Sequence, residues 1–96
     1  MTPAARLQTA IEILDAIAAS ARDGGPPADA LIAEAMRARR YAGSKDRRAI
    51  RALVYDAIRA VRSAPPSGRA AMLALADSDP ELAALFDGSP YGPKPI

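Results

Sequence analysis

The chain has 96 residues, of which half are hydrophobic, and a formal net charge of +2. It contains no Cys and no His, which excludes disulfides, thiolate and imidazole metal ligands, thiol nucleophiles and a histidine general base. The length indicates one small domain, and because 24 of its residues are Ala we expect a thin core. With no long apolar run and no cleavable leader pattern, we expect a soluble cytoplasmic protein.

Capping residues, Gly and Pro divide the chain into five predicted helices and no strands. The first helix starts at Thr2-Pro3, carries an apolar stripe from Leu7 to Ala21 and stops at Gly24-Gly25. The second is predicted over 27–40 and the third, capped by Ser44, over 45–62. A fourth follows the Ser67 cap to residue 76, and a fifth spans 80–86. The Pro-rich residues 89–96 are expected to be a disordered tail.

The positive charge is concentrated in the middle third of the chain. Residues 37–69 carry a net charge of +8, whereas residues 1–36 and 70–96 each carry −3. Such segregation indicates an anionic partner, and nucleic acid is the first candidate.

The third predicted helix has two distinct sides. At 100° per residue, one side collects the apolar residues Ile50, Leu53, Val54, Ala57, Ile58 and Val61. The opposite side collects Arg48, Arg51, Tyr55, Arg59 and Arg62. This stripe is either a surface that binds phosphates and stacks bases, or an ordinary solvated helix face. The near absence of acidic residues on it favours binding, because a solvated helix usually mixes signs.

Two tyrosines near this stripe are candidates for direct contact with a ligand. Tyr41 is expected to pack over the corner between the second and third helices as a structural plug, with ligand contact as the alternative. Tyr55 is expected to be more exposed than Tyr41 by its helical angle, so that both a binding and a structural role are open.

Catalytic groups are not apparent. Glu12, Asp15 and Asp29 are dispersed, no Gly-rich phosphate loop is present, and no Ser has a His partner. We therefore expect neither catalytic nor metal-binding residues, and no enzyme activity in this chain alone.

One segment resembles a known family. Residues 40–59 contain Asp46-Arg47, Leu53-Val54-Tyr55 and Arg59 in the order found in the N-terminal region of RsmB-like (Sun-type) ribosomal RNA cytosine-5 methyltransferases. The first helix and residues 85–93 are also similar to that family.

The resemblance implies an all-α NusB-like bundle over residues 1–88 that binds RNA, followed by a linker over 89–96 toward a catalytic domain. In such enzymes the cofactor S-adenosylmethionine and the catalytic cysteines belong to that later domain, so no cofactor is expected in this chain. The implied partners are ribosomal RNA and the methyltransferase domain of the same polypeptide. We expect a monomer that does not bind membranes.

The predicted RNA-binding residues come from the third helix and the turn before it. They are Arg39, Arg40, Lys45, Arg47, Arg48, Arg51, Tyr55, Arg59 and Arg62. Two other functions stay open: a module that docks onto a protein partner, and a stand-alone NusB-like transcription antitermination factor.

Overall fold

The structure, a computed structural model, describes residues 1–61 and 65–96. Within these residues it contains five helices and no strand, which confirms the predicted all-α bundle. The helices are α1 (Pro3–Asp23), α2 (Ala28–Ala38), α3 (Ser44–Ala60), α4 (Gly68–Ala76) and α5 (Pro80–Ala83). The predicted RNA contact Arg62 lies outside the described residues.

Most helix boundaries follow the predicted capping chemistry. The hydroxyl of Thr2 accepts a hydrogen bond from the amide of Ala5 at 3.0 Å, and Gly24 ends α1 in the left-handed conformation with φ of 70°. Ser67 caps α4 in the same way, through the amide of Ala70 at 3.1 Å. The start of α3 differs from the prediction: Gly43 is the N-cap and Ser44 is the first helical residue.

Three helices end earlier than predicted, α3 among them, at Ala60 instead of residue 62. Arg39 leaves the helical region with φ of −109° and ψ of 65°, so α2 ends at Ala38. After α5 the chain tightens into 3₁₀-type hydrogen bonds, from the amide of Leu85 to Leu82 and from that of Phe86 to Ala83. This tighter turn continues to Phe86, which is buried.

The long helix α1 is the centre of the bundle. It packs most extensively against α3 and α4, and it also contacts α2, while α4 contacts α3 and α5. Each helix contributes small or medium-sized apolar side chains, so the core is thin, as the Ala-rich composition predicts. Its buried members are Leu7, Ala10, Ile11, Ile13, Leu14, Ile32, Met36, Ile50, Val54, Ala57, Ala71, Met72, Ala76, Leu82 and Phe86.

The first residue of α4 lies directly against α1. Gly68 is buried, and a Cβ atom at this position would overlap the backbone carbonyl of Ile11. The amide of Gly68 donates a hydrogen bond to the carboxylate of Asp15 at 2.6 Å. A negative charge at the start of a helix is favourable, so α1 both accommodates and caps α4.

The C-terminal tail lacks regular secondary structure, but the expectation that it is disordered is wrong. Pro93 is fully buried, and its carbonyl accepts a hydrogen bond from the amide of Gly88 at 3.0 Å. The guanidinium of Arg69 donates to the carbonyls of Lys94 and Pro95, both at 3.0 Å, and lies 5.3 Å from the centre of the Phe86 ring. One arginine of α4 therefore anchors the tail to the bundle.

Candidate nucleic-acid interface

A group of exposed cations lies on the first half of α3 and on the corner that precedes it. Lys45, Arg48 and Arg51 follow one another at three-residue steps on α3, which places them along one side of the helix. The opposite side of the helix buries Ile50, Val54 and Ala57, so these three cations point into solvent. Arg40, also exposed, precedes them on the corner.

We call Arg40, Lys45, Arg48 and Arg51 the basic surface. Among the ion pairs between described residues, none involves any of these four side chains. Arg37, at the end of α2, is exposed as well. These cations are therefore available to a partner, and their positive charge is not cancelled by neighbouring carboxylates within the described chain.

Two of the predicted contacts, Arg39 and Arg47, direct their guanidinium groups inward instead. Arg47 donates from Nε to the carbonyl of Ala42 at 2.9 Å and from Nη2 to that of Arg39 at 3.3 Å. Arg39 donates to the carbonyl of Ala35 at 3.2 Å and pairs with Glu12 of α1 at 3.0 Å. Both arginines thus hold the α2–α3 corner in place. The sequence pattern did not show that these two side chains form internal contacts and do not face solvent.

Asp46 fixes the start of α3 to α1. Its carboxylate accepts a hydrogen bond from Nε of Arg6 at 2.8 Å, and the N-terminal ammonium group of Met1 lies 3.5 Å away. The amide of Gly43 also donates to it, at 3.4 Å. The hydrogen bond from Arg6 lowers the pKa of Asp46 below its ordinary value of 3.8 against the opposing effect of burial. These contacts of Asp46 position the first turn of α3, which carries part of the basic surface.

Tyr55 was predicted to be more exposed than Tyr41, and this is wrong. The side chain is half-buried, and its hydroxyl donates a hydrogen bond to the carboxylate of Asp29 on α2 at 2.5 Å. This bond and burial raise the pKa of Tyr55 above its ordinary value of 10.0. The sequence indicated only that its partner Asp29 is an acidic residue with no paired carboxylate, and did not predict this hydrogen bond. Tyr55 therefore links α3 to α2 at the end of the basic surface.

Arg59 lies beyond Tyr55 on the same helix and is exposed. It pairs with Asp56, one turn before it, with a separation of 2.5 Å between nitrogen and oxygen. Both side chains are more than half exposed, so the pair contributes little to stability, at about 0–1 kcal/mol. It does reduce the positive charge at this end of α3, which leaves the first half of the helix as the more strongly basic part.

The prediction that Tyr41 is a structural plug is also wrong, because 71% of its surface is exposed. Its ring lines a pocket of about 580 Å³ together with Tyr91 of the tail, which is 81% exposed. The other lining residues are Met1, Thr2, Ala5, Gln8, Thr9 and Glu12. Sequence reasoning missed Tyr91, since it treated the tail as disordered and the packing of Pro93 was not visible in any pattern.

The structure thus divides the predicted site residues into groups. It brings Arg40, Lys45, Arg48 and Arg51 together as exposed cations, and it places Arg39, Arg47 and Tyr55 in internal contacts. Comparisons were made with protein-family models, curated proteins and solved structures. None of them matches this chain.

Two further properties of the described residues bear on the site. No helix in residues 1–61 and 65–96 is long and apolar enough to cross a membrane. In the same part of the chain, no three carboxylates are grouped in a way that could hold a metal ion. The basic surface and the adjoining pocket with Tyr41 and Tyr91 are therefore the features on which a functional interpretation rests.

Proposed function

We propose that this chain is a non-catalytic RNA-binding module. The observation that supports it most is the basic surface, four exposed cations on α3 and its preceding corner that form no ion pair within the described residues. In line with the family resemblance of residues 40–59, the proposed parent is an S-adenosylmethionine-dependent ribosomal RNA 5-methylcytosine methyltransferase. The module would bind ribosomal RNA and help present it to the catalytic domain.

The shape and chemistry of the basic surface suit a phosphate backbone. Three cations in a row along a helix can contact successive phosphates, and the planar guanidinium groups of Arg48 and Arg51 can bind phosphate oxygens in pairs. The core behind them is rigid, since Ile50 and Val54 are completely buried. Binding therefore requires little ordering of the helix itself, although the long side chains still lose rotamer freedom.

The expected strength of this binding depends on salt. Each phosphate neutralised on single-stranded RNA contributes about 0.7 to the slope of log affinity against log salt. Four contacts give a slope of about 2.8, which corresponds to a loss of affinity of about 50-fold between 50 and 200 mM salt. A salt dependence of this size is the expected signature of binding through these four cations.

The division of labour in the proposal explains the composition of the chain. Cys and His are absent from the sequence, so a thiol nucleophile would have to come from another domain. We place the donor S-adenosylmethionine and the methyl transfer in that domain.

The proposal is tested by fluorescence anisotropy with a labelled single-stranded fragment of ribosomal RNA. The double variant Arg48→Gln/Arg51→Gln should reduce the salt slope by about 1.4, because it removes two phosphate contacts. The control Arg22→Gln removes an exposed cation at the end of α1 and should leave the slope unchanged. Absence of binding at low salt, or an affinity that does not depend on salt, would overturn the proposal.

A further inference from the structure

We propose that the pocket between Tyr41 and Tyr91 binds one unpaired RNA base, an inference that rests on the proposed function and specifies it. Both rings are far more exposed than aromatic side chains usually are, at 71% and 81%. They line one opening of about 580 Å³, which is within the range of small-molecule sites, about 300–1,000 Å³. Two exposed aromatic rings at one opening provide stacking surfaces for a flat ligand.

The rest of the pocket offers an amide group to a base edge. Gln8, Thr9 and Glu12 line it beside the small apolar Ala5. The hydroxyl of Thr9 is buried and donates to the carbonyl of Ala5, and the two carboxylate oxygens of Glu12 accept from Gln8 and Arg39, so the polar group directed to a ligand is the amide of Gln8. The amide nitrogen of Gln8 donates a hydrogen bond to Glu12 at 3.1 Å. This bond orients the amide group, and its oxygen can still accept a hydrogen bond from a ligand. Unpaired bases are typically recognised by this combination of aromatic stacking and hydrogen bonds to the base edges.

The charges around the pocket favour a nucleotide over a cation. Glu12 is already paired with Arg39 at 3.0 Å, and Asp46 is paired with Arg6. Arg40, which forms no ion pair among the described residues, adjoins Tyr41 in the chain, so the charge on the Tyr41 side of the pocket is positive. On the other side, the carboxylate of Asp87 lies close to Gly92, the neighbour of Tyr91. An aromatic cage for a quaternary ammonium ion would have the positive charge of Arg40 against it. A base in the pocket would instead bring its phosphate toward the basic surface.

The inference requires that the two rings contribute to RNA affinity by stacking. Single substitutions of each ring distinguish this contribution from that of the cations. Tyr41→Ala and Tyr91→Ala should each weaken binding of single-stranded RNA by about 5- to 150-fold, the range found for loss of one stacked base. The salt slope should stay the same, because no cation is removed. The controls Tyr41→Phe and Tyr91→Phe keep the ring and should retain affinity within about twofold. Both tyrosine side chains are exposed, so thermal melting should show all four variants to be folded.

A direct measurement uses the small number of aromatic residues. The chain has three tyrosines and no tryptophan, so the tyrosine ring signals can be resolved by NMR. Adenosine 5′-monophosphate should shift the ring signals of Tyr41 and Tyr91 upfield through stacking. Tyr55, which is half-buried and bonded to Asp29, should not respond and serves as the internal control.

The outcomes distinguish this inference from the proposed function. If the Ala variants bind single-stranded RNA like the wild type while Arg48→Gln/Arg51→Gln binds less tightly, the pocket inference is wrong and the proposed function stands. If the wild type binds no RNA, both fail. If tetramethylammonium shifts the two rings and the mononucleotide does not, the pocket is a cation site and the inference is overturned.

Discussion

Arg47 and Arg48 are neighbours in the chain with identical side chains, yet the structure predicts opposite consequences for their substitution. The Nε and Nη2 atoms of Arg47 donate to the carbonyls of Ala42 and Arg39 at 2.9 and 3.3 Å. Arg48 is exposed and forms no ion pair among the described residues. Replacing each by Gln removes the same charge, so the pair separates a structural role from an RNA-binding role.

The size of the effect at Arg47 follows from its two hydrogen bonds. A bond from a charged donor contributes about 1.5–3 kcal/mol, and the half-buried position and the long second bond reduce this to about 1–2 kcal/mol in total. For a domain of this size, each kcal/mol corresponds to about 4–8 °C in Tm. Arg47→Gln should therefore melt about 4–16 °C below the wild type. Arg48→Gln should change the stability by less than about 0.5 kcal/mol.

The two variants should behave in the reverse way toward RNA. Arg48→Gln should lower the salt slope of binding by about 0.7, whereas Arg47→Gln, measured well below its Tm, should leave the slope unchanged. Thermal melting by circular dichroism gives the first quantity and anisotropy titrations at several salt concentrations give the second. Equal melting temperatures, or equal losses of slope, would refute the assignment of roles to these two arginines.

Three further predictions concern the scaffold. Gly68→Ala should destabilise the fold by about 1–3 kcal/mol in urea unfolding, because the added methyl group overlaps the carbonyl of Ile11. An unchanged urea midpoint would contradict the close contact between Gly68 and α1. Since the pKa of Asp46 is lowered in the folded state, its stabilising effect is present above pH 3.8 and is lost as the pH falls through the lower folded value. Asp46→Asn should therefore be less stable than the wild type at pH 6, and the difference should shrink toward pH 2. Arg69→Gln should release the tail, seen as faster amide exchange at Gly88, whose bond to Pro93 depends on the anchored tail.

The sequence predicted those features that depend on local chemistry. Caps such as Thr2 and Ser67 are recognisable because they act within one turn of their own helix. The apolar side of α3 is recognisable because helical periodicity alone determines which residues share a face. The same periodicity placed Arg48 and Arg51 opposite the core, although by itself it could not show which cations of the preceding corner stay exposed.

The features that the sequence did not predict depend on contacts between distant segments. Tyr55 is half-buried because Asp29 of α2 lies beside it, and Arg39 turns inward because Glu12 of α1 is within reach. The tail is ordered because Arg69, far from it in the chain, binds its carbonyls. Pairings of this kind leave no periodic pattern, since each partner alone is an ordinary polar residue on a helix surface.

The pocket between Tyr41 and Tyr91 has a consequence for the order of events during synthesis. Its walls come from the first residues of the chain, from the corner before α3 and from the tail. The basic surface lies on α3 and the corner before it, and it includes no residue of the tail. The pocket forms only after Tyr91 has emerged from the ribosome and Pro93 is buried. Under the proposed function, contacts to phosphates would therefore be possible before the base pocket exists, and recognition of an unpaired base would require residues 91–93 to have folded back.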